Sequence, residues 1–263
     1  MARRWTQSEE QNHRTELTAL YVSKNKTIDE VGLILHIAPQ TVFSRLCRLG
    51  IRTCREKKKF VNNQRKDITL PKVRSPALAE LLGVLLGDGH ISHFQVVVTL
   101  GSKELAYANH VCTLIKSVFG KNPKISLRNT GYRDVYLGST AITSWLRREG
   151  LVHNKVEAQV DAPQWIFETR DYMVAFLRGF FDTDGSVYKL KYGMQISLTN
   201  KSLPLLYSLQ KMLRALGYSA SAVSAYRVYL TKKSDLHRFF RDIKPMNAKH
   251  RLRFAEFSKC AGT

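Results

Sequence analysis

A nine-residue pattern occurs twice in this chain, as Leu81-Leu82-Gly83-Val84-Leu85-Leu86-Gly87-Asp88-Gly89 and Leu177-Arg178-Gly179-Phe180-Phe181-Asp182-Thr183-Asp184-Gly185. Each copy is an apolar, helix-like run ending in an acidic residue followed by glycine. A carboxylate fixed at the end of a buried helix is costly unless something pairs with it. Two such ends, ninety-six residues apart, point to two half-sites brought together around cations.

The flanking segments keep register. Gln95, Thr99 and Ser102 recur as Gln195, Thr199 and Ser202 at a spacing of one hundred. Tyr132-Arg133, Ile142, Trp145-Leu146-Arg147 and Lys155 recur as Tyr226-Arg227, Leu236, Phe239-Phe240-Arg241 and Lys249 at a spacing of ninety-four. Hairpins of different length produce such drift, and an ordered series in register marks an internal duplication. Residues 75–160 form the first repeat and 161–263 the second.

Within the first repeat, Ser75 and Pro76 suit the N-cap and first turn of a helix. Beyond Gly89, apolar residues alternate as they do in strands. Ser102 to Phe119 reads as a helix, residues 124–137 as a hairpin around Asn129-Thr130-Gly131, and Thr140 to Arg148 as a closing helix. The order is helix, two strands, helix, two strands, helix, and it recurs from about Asp171. The expected fold is α+β: a pseudo-twofold duplicated αββαββα core with two antiparallel four-stranded sheets. Helices cover one face of each sheet and leave a polar, basic face free.

Charge names the partner class. Forty-two Lys and Arg against twenty-one Asp and Glu give a net charge of +21. Such an excess favours a polyanion, because Lys and Arg displace the counterions condensed on phosphates. No apolar stretch reaches the length of a membrane span, and the N-terminus lacks a signal peptide's apolar core. Cys47, Cys54, Cys112 and Cys260 are scattered without a Cys-x-x-Cys pair, which fits a reducing intracellular compartment, cytoplasmic or organellar.

Residues 1–53 read as a separate all-α module. Leu17, Leu20, Tyr21 and Val22 mark one amphipathic helix. Thr27 with Glu30 forms a capping box for a second, which breaks at His36-Ile37-Ala38-Pro39, and a third runs to Gly50. Helix, tight turn and helix is a helix-turn-helix. In that reading Gln40, Thr41, Ser44, Arg45 and Arg48 face a DNA major groove; the same core pattern also suits a three-helix bundle that contacts protein. Residues 54–74 are a basic linker in which Lys57, Lys58 and Lys59 lie along phosphates or form a solvated charge run.

Gly83 and Gly87 share one helix face, as do Gly179 and Thr183, so the two helices can approach closely there. Their C-terminal ends then meet, each carrying an aspartate where the helix dipole disfavours negative charge. Asp88 and Asp184 repel unless cations intervene. Hard oxygen ligands suit Mg²⁺ retained with water and substrate phosphates. Read alone, each Asp-Gly is also an ordinary turn. Asp182, where the first copy has Leu86, reads as structural.

The paired nonapeptides, their spacing and the αββαββα repeat resemble the LAGLIDADG homing endonucleases in their single-chain, two-motif form, across residues 75–255. The resemblance implies that Asp88 and Asp184 hold Mg²⁺, for which Ca²⁺ or Mn²⁺ can substitute, with Gly87 and Thr183 completing the metal site. It implies a monomer of pseudo-twofold symmetry straddling a long double-stranded DNA site, cutting both strands across the minor groove to leave short 3′ overhangs. Lys155 and Lys249 are candidates for stabilising phosphorane charge or polarising water, or for phosphate contact alone. Gln95 and Gln195 are candidates for positioning water or contacting bases. The saddle faces offer His90, Ser92, Lys124, Ser126, Arg128 and Arg133 from one repeat. The other offers Ser186, Tyr188, Lys189, Lys191, Ser197, Arg227 and Tyr229. The leading expectation is a site-specific endonuclease of a mobile genetic element. An intron RNA maturase and a non-cleaving transcription regulator are the alternatives, and retention of both acids weighs against pure binding. The ends show no Cys, Ser or His-Asn splice junction, which favours a free-standing enzyme over an excised intein.

Overall fold

The computed structural model describes residues 5–24, 26–51 and 67–260, so Lys57, Lys58 and Lys59 lie outside the described residues. It divides into two compact units, one ending at Asn62 and the other starting at Asn63.

The first unit has α1 (Gln7–Leu17), continued by a π-helical turn at Thr18–Ser23, then α2 (Ile28–Leu35) and α3 (Pro39–Arg48). Thr27 and Glu30 form the expected capping box, the Thr27 amide donating to the Glu30 carboxylate at 2.7 Å and the Glu30 amide to Thr27 Oγ1 at 3.2 Å. His36 ends α2 in the left-handed region, and Pro39 opens α3 at once. Leu17, Tyr21, Val31, Val42, Leu46 and Leu49 form its core. This is the helix-turn-helix arrangement that the sequence predicts.

The second unit holds both repeats around one core. The first runs α4 (Pro76–Gly87), β1 (Gly89–Ile91), β2 (Gln95–Leu100), α5 (Leu105–Phe119), β3 (Lys124–Leu127), β4 (Arg133–Gly138) and α6 (Thr140–Arg148). Ser75 caps α4 through the Leu78 amide at 3.2 Å, with Pro76 in its first turn. The sheet is antiparallel in the order β1-β2-β4-β3. A 3₁₀ turn at Gln164–Glu168, anchored by buried Trp165 and Ile166, leads into the second repeat. There α7 (Arg170–Asp184), β5 (Gly185–Leu190), β6 (Gly193–Thr199), α8 (Leu203–Ala215), β7 (Arg227–Leu230) and α9 (Lys233–Ile243) follow.

Two expectations need correction. The second sheet has three strands, β5-β6-β7, where four were expected. Residues 219–224 return beside β7 through a two-residue turn at Ala225 and Tyr226, whose positive φ values suit a hairpin; Ser224 pairs with Arg227, and the Ser221 amide donates to the Tyr229 carbonyl at 3.0 Å. Further along, the Tyr229 amide donates to the Ser221 hydroxyl at 2.9 Å, so a side chain takes the place of a ladder carbonyl. The second repeat also ends in a helix the repeat pattern did not contain, α10 (Ala248–Cys260), with Lys249 in its first turn. Phe254 of α10 stacks on Phe240 of α9 with centroids 4.0 Å apart, fastening the extra helix to the repeat.

The helix pair α4 and α7 sits at the centre of the core. A methyl group at Gly83 would overlap the Phe176 carbonyl oxygen, and one at Gly179 the Glu80 carbonyl oxygen. Only glycine permits this approach. Glu80, itself buried, accepts from Arg178 of α7 at 2.9 Å and contacts His110 Nε2 of α5 at 2.7 Å. A buried carboxylate left without its partners is strongly destabilising, so the triad pins the register in which the glycines meet.

Candidate active site and nucleic-acid face

Packing at the glycines carries both helix ends to one place. A methyl at Gly87 would overlap the Thr183 hydroxyl and stand 3.5 Å from the Asp184 carboxyl carbon, so Asp184 lies against the end of α4. Asp88 follows Gly87 directly and reaches solvent, while Asp184 is half-buried. The packed helix ends strip water from both carboxyls, although Asp88 keeps an exposed edge, and this raises both pKa values. Asp184 is pushed up to about 6, first by burial and then by the charge of Asp88, against a 3.0 Å hydrogen bond from Asn200 Nδ2. The charge of Asp88 thus reaches Asp184.

Both lysines converge on them. Burial lowers the pKa of Lys155, opposed by Asp184 and then Asp88. Lys249 exerts the strongest opposing pull on Asp88, whereas Lys155 outranks Lys249 at Asp184. Each acid therefore answers chiefly to the lysine of the other repeat. The lysines are held differently. Lys155 Nζ donates to the carbonyls of Leu85 at 3.0 Å, Leu86 at 3.1 Å and Gly87, where a cation complements the helix dipole. Lys249 Nζ pairs with Glu104 Oε1 at 2.8 Å.

Gln95 and Gln195 do not reach the acids. Gly89 pairs with Val98 and Gly185 with Leu198, which places Thr99 and Thr199 beside the acids. The glutamines stand four residues farther along, about 13 Å away at strand rise. Thr183 Oγ1 donates to the carbonyls of Phe180 at 2.9 Å and Gly179 at 3.2 Å, and the Gly87 carbonyl is occupied by Lys155. The two carboxylates are the charged donors at the helix ends. Two carboxylates with open valences fit a Mg²⁺ ion that takes its other ligands from water and phosphate. Among the described residues no group of three or more His, Cys, Asp or Glu gathers to hold a metal.

The saddle faces hold part of the expected set. On the first sheet, Lys124 and Ser126 are exposed beside Tyr136 and Asp134, and His90 packs edge-on against His153 at 4.8 Å. Arg128 shares this face but is clasped by Asp134 at 2.7 and 2.8 Å. Three other residues depart from expectation. Ser92 Oγ accepts the Gln95 amide at 3.2 Å and closes the β1–β2 turn. Arg133 alternates onto the face of Val135 and donates to the Ser102 carbonyl. Lys189 alternates onto the face of Val187, opposite Met194. On the second sheet Tyr188, Gln195, Arg227 and Tyr229 share the polar face with Ser186, while Ser197 is buried between Ser186 and Tyr229. Hydrogen bonding to Ser186 and the charge of Arg227 lower the Tyr188 phenol. Lys191 stands at the hairpin tip, 5.2 Å over the Tyr192 ring. In α3, Gln40, Thr41 and Ser44 are exposed, whereas Arg48 and Arg45 lie 4.0 and 5.6 Å over the Trp5 ring.

Sequence reasoning missed Glu104, Asn200 and Asn247. The repeat register offered one signal, a mismatch: Glu104 aligns with Pro204, and Asn200 with Leu100. Asp182, read as structural, accepts the amides of Met246 at 2.8 Å and Asn247 at 3.0 Å and anchors the segment leading to Lys249. Burial pushes its carboxyl up to about 7.

Two family models match, one to each repeat: a WhiA LAGLIDADG-like domain over residues 78–158 and a LAGLIDADG-like domain over residues 171–244. The chain belongs to the LAGLIDADG family. Its duplicated α+β core with two antiparallel sheets is a LAGLIDADG fold. The homing endonuclease I-WcaI, solved bound to its DNA recognition sequence, superposes with a TM-score of 0.50 at 16% identity, over 78% of this chain and 96% of that one. At that identity the likeness shows the fold. Among curated proteins, ribonucleoside-diphosphate reductase NrdEB subunit alpha of Bacillus subtilis (strain 168) is 27% identical over 164 residues, 56% of this chain. A DNA polymerase of Thermococcus hydrothermalis is 32% identical over 195 residues, 68% of this chain. The chain spans only 15% of the length of the reductase and 11% of the polymerase. No helix among the described residues is long and apolar enough to cross a membrane.

Proposed function

We propose that this chain is a site-specific double-strand DNA endonuclease, a homing endonuclease that hydrolyses phosphodiesters with a divalent metal. The observation that carries the reading is the convergence of Asp88 and Asp184 at the glycine-packed helix ends. Loss of surrounding water raises the pKa of both, and the charge of Asp88 raises Asp184 further, so the paired carboxylates call for a cation. Mg²⁺ bound there supplies Lewis acidity to the scissile phosphate and an activated water. The protein's own groups do the rest. Asp88 and Asp184 would hold the metal, Asn200 orients Asp184, and Lys155 and Lys249 bring positive charge to where the phosphorane charge develops. Lys124 with Tyr136 on one saddle, and Arg227 with Tyr188 on the other, lie along the duplex. Gln40, Thr41 and Ser44 of the helix-turn-helix extend the footprint in a major groove.

Two relatives with unlike names, a reductase subunit and a DNA polymerase, each share only a short segment with this chain. That distribution supports a segment that travels between hosts, the setting of a mobile element. The WhiA-type match to the first repeat favours one second reading, a non-cleaving DNA-binding regulator. The two readings, and the maturase with them, separate on one experiment. Incubation with a randomised duplex library and Mg²⁺, followed by sequencing of the ends, returns one cut site with short 3′ overhangs if the nuclease reading holds. Enrichment of bound but intact duplex supports the regulator, and binding only to a randomised RNA pool included alongside supports the maturase.

A further inference from the structure

The two lysines hold corresponding places in the repeats, yet only one is held by an acid. Glu104, at the start of α5, accepts Lys249 Nζ at 2.8 Å and Asn247 Nδ2 at 2.6 Å on Oε1, and the Gly101 amide at 2.6 Å on Oε2. Asn247 also donates its main-chain amide to Asp182 at 3.0 Å and Nδ2 to the Asp182 carbonyl at 3.0 Å. The tail of the second repeat is thus stitched to the end of its own α7 and, through Glu104, to the first repeat. There Lys249 is the strongest attractive charge acting on Asp88. Lys155 has no such tether, being held by main-chain carbonyls of α4. At the register of Glu104 the second repeat has Pro204, which cannot supply an acid.

Resting on the nuclease reading above, we propose that Glu104 is a positioning residue. It fixes Lys249 on the Asp88 side of the centre and makes the two strand cleavages inequivalent, one depending on an acid tether and the other on helix carbonyls. Glu104 touches no reacting atom in this account; it acts through Lys249. A lysine on a flexible four-carbon stem loses its geometry when its acceptor is neutralised, and misplacement by about 1 Å costs up to about a hundredfold in rate.

The test uses the full chain and two readouts. In Glu104→Gln, which keeps shape but removes the charge and leaves one acceptor oxygen for donors on both sides, lysine acetylation followed by peptide mass spectrometry should show Lys249 labelled several-fold faster than in wild type, with Lys155 unchanged. On a selected duplex labelled on each strand, the same variant should slow one strand by about 10- to 100-fold, so that nicked product accumulates. Glu104→Asp should recover part of that rate, and Glu104→Gln should add little in a Lys249→Met background. Equal slowing of both strands, or unchanged labelling of Lys249, overturns the inference and leaves the nuclease reading standing. A wild-type protein that cuts neither strand overturns the nuclease reading and the strand inequivalence with it, while the labelling still reports whether Glu104 holds Lys249.

Discussion

The Asp88 half and the Asp184 half of the centre come from one duplicated unit, yet they are finished differently. Asp88 reaches solvent, and its surroundings are set by Lys249 and Glu104. Asp184 is half-buried and hydrogen-bonded to Asn200. The helix pair that brings them together is nearly symmetric, with Gly83 facing the Phe176 carbonyl and Gly179 the Glu80 carbonyl. Symmetry is kept where the backbones touch, because any side chain there is excluded. It is lost one shell out, where Leu100 and Asn200 or Glu104 and Pro204 occupy equivalent places. The packing demands likeness, and the chemistry tolerates divergence.

The sharpest way to break the comparison is to remove one acid at a time. Asp88→Asn and Asp184→Asn should each abolish double-strand cleavage in Mg²⁺, a loss of at least about 10³-fold, while binding in Ca²⁺ stays within a few fold. Filter binding and plasmid linearisation measure the two effects. Next come the glycines. Gly83→Ala forces the helices apart and should cost about 3 kcal/mol in chemical denaturation. Gly50→Ala, in the first unit, meets open space at φ +65° and should cost only about 1 kcal/mol.

A third effect distinguishes the units. Deleting residues 1–53 should weaken DNA binding about 10- to 100-fold and flatten its salt dependence, because phosphate contacts are lost. Cleavage at saturating protein should persist, and its disappearance would contradict the two-unit reading.

The smallest effect is on stability. Asp184 and Asp182 carry pKa values raised to about 6 and about 7. The folded chain holds these protons more tightly than the unfolded chain, so metal-free stability should fall as pH rises from about 4 to about 7. Asp184→Asn should then raise stability by about 1–2 kcal/mol at pH 7.5 without metal, read as an increase in Tm, and show no gain at pH 4.

Much of this was legible in the sequence because it is written locally. Ser75-Pro76, the Thr27–Glu30 box and the glycines at i, i+4 each act within a helical turn, and duplication doubled the signal of Asp88 and Asp184. Lys155 and Lys249 emerged from the same register. What stayed hidden depends on contacts between distant segments. Glu104 acquires meaning only when the chain returns 143 residues later with Asn247. Arg133 and Lys189 were assigned to the wrong face because residue type says "basic" while strand alternation decides direction. The missing fourth strand turns on the Ser221 hydroxyl taking the Tyr229 amide, a contact that residue type alone does not announce.

The account stands on Asp88 and Asp184 forming one centre. Carboxyl-carbon NMR of metal-free protein titrates Asp184 directly. The expected midpoint is about 6 in the wild type, moving clearly downward in Asp88→Asn as the neighbouring charge is removed. An Asp184 that titrates near 4 in the wild type, or whose midpoint is unmoved by Asp88→Asn, would contradict it.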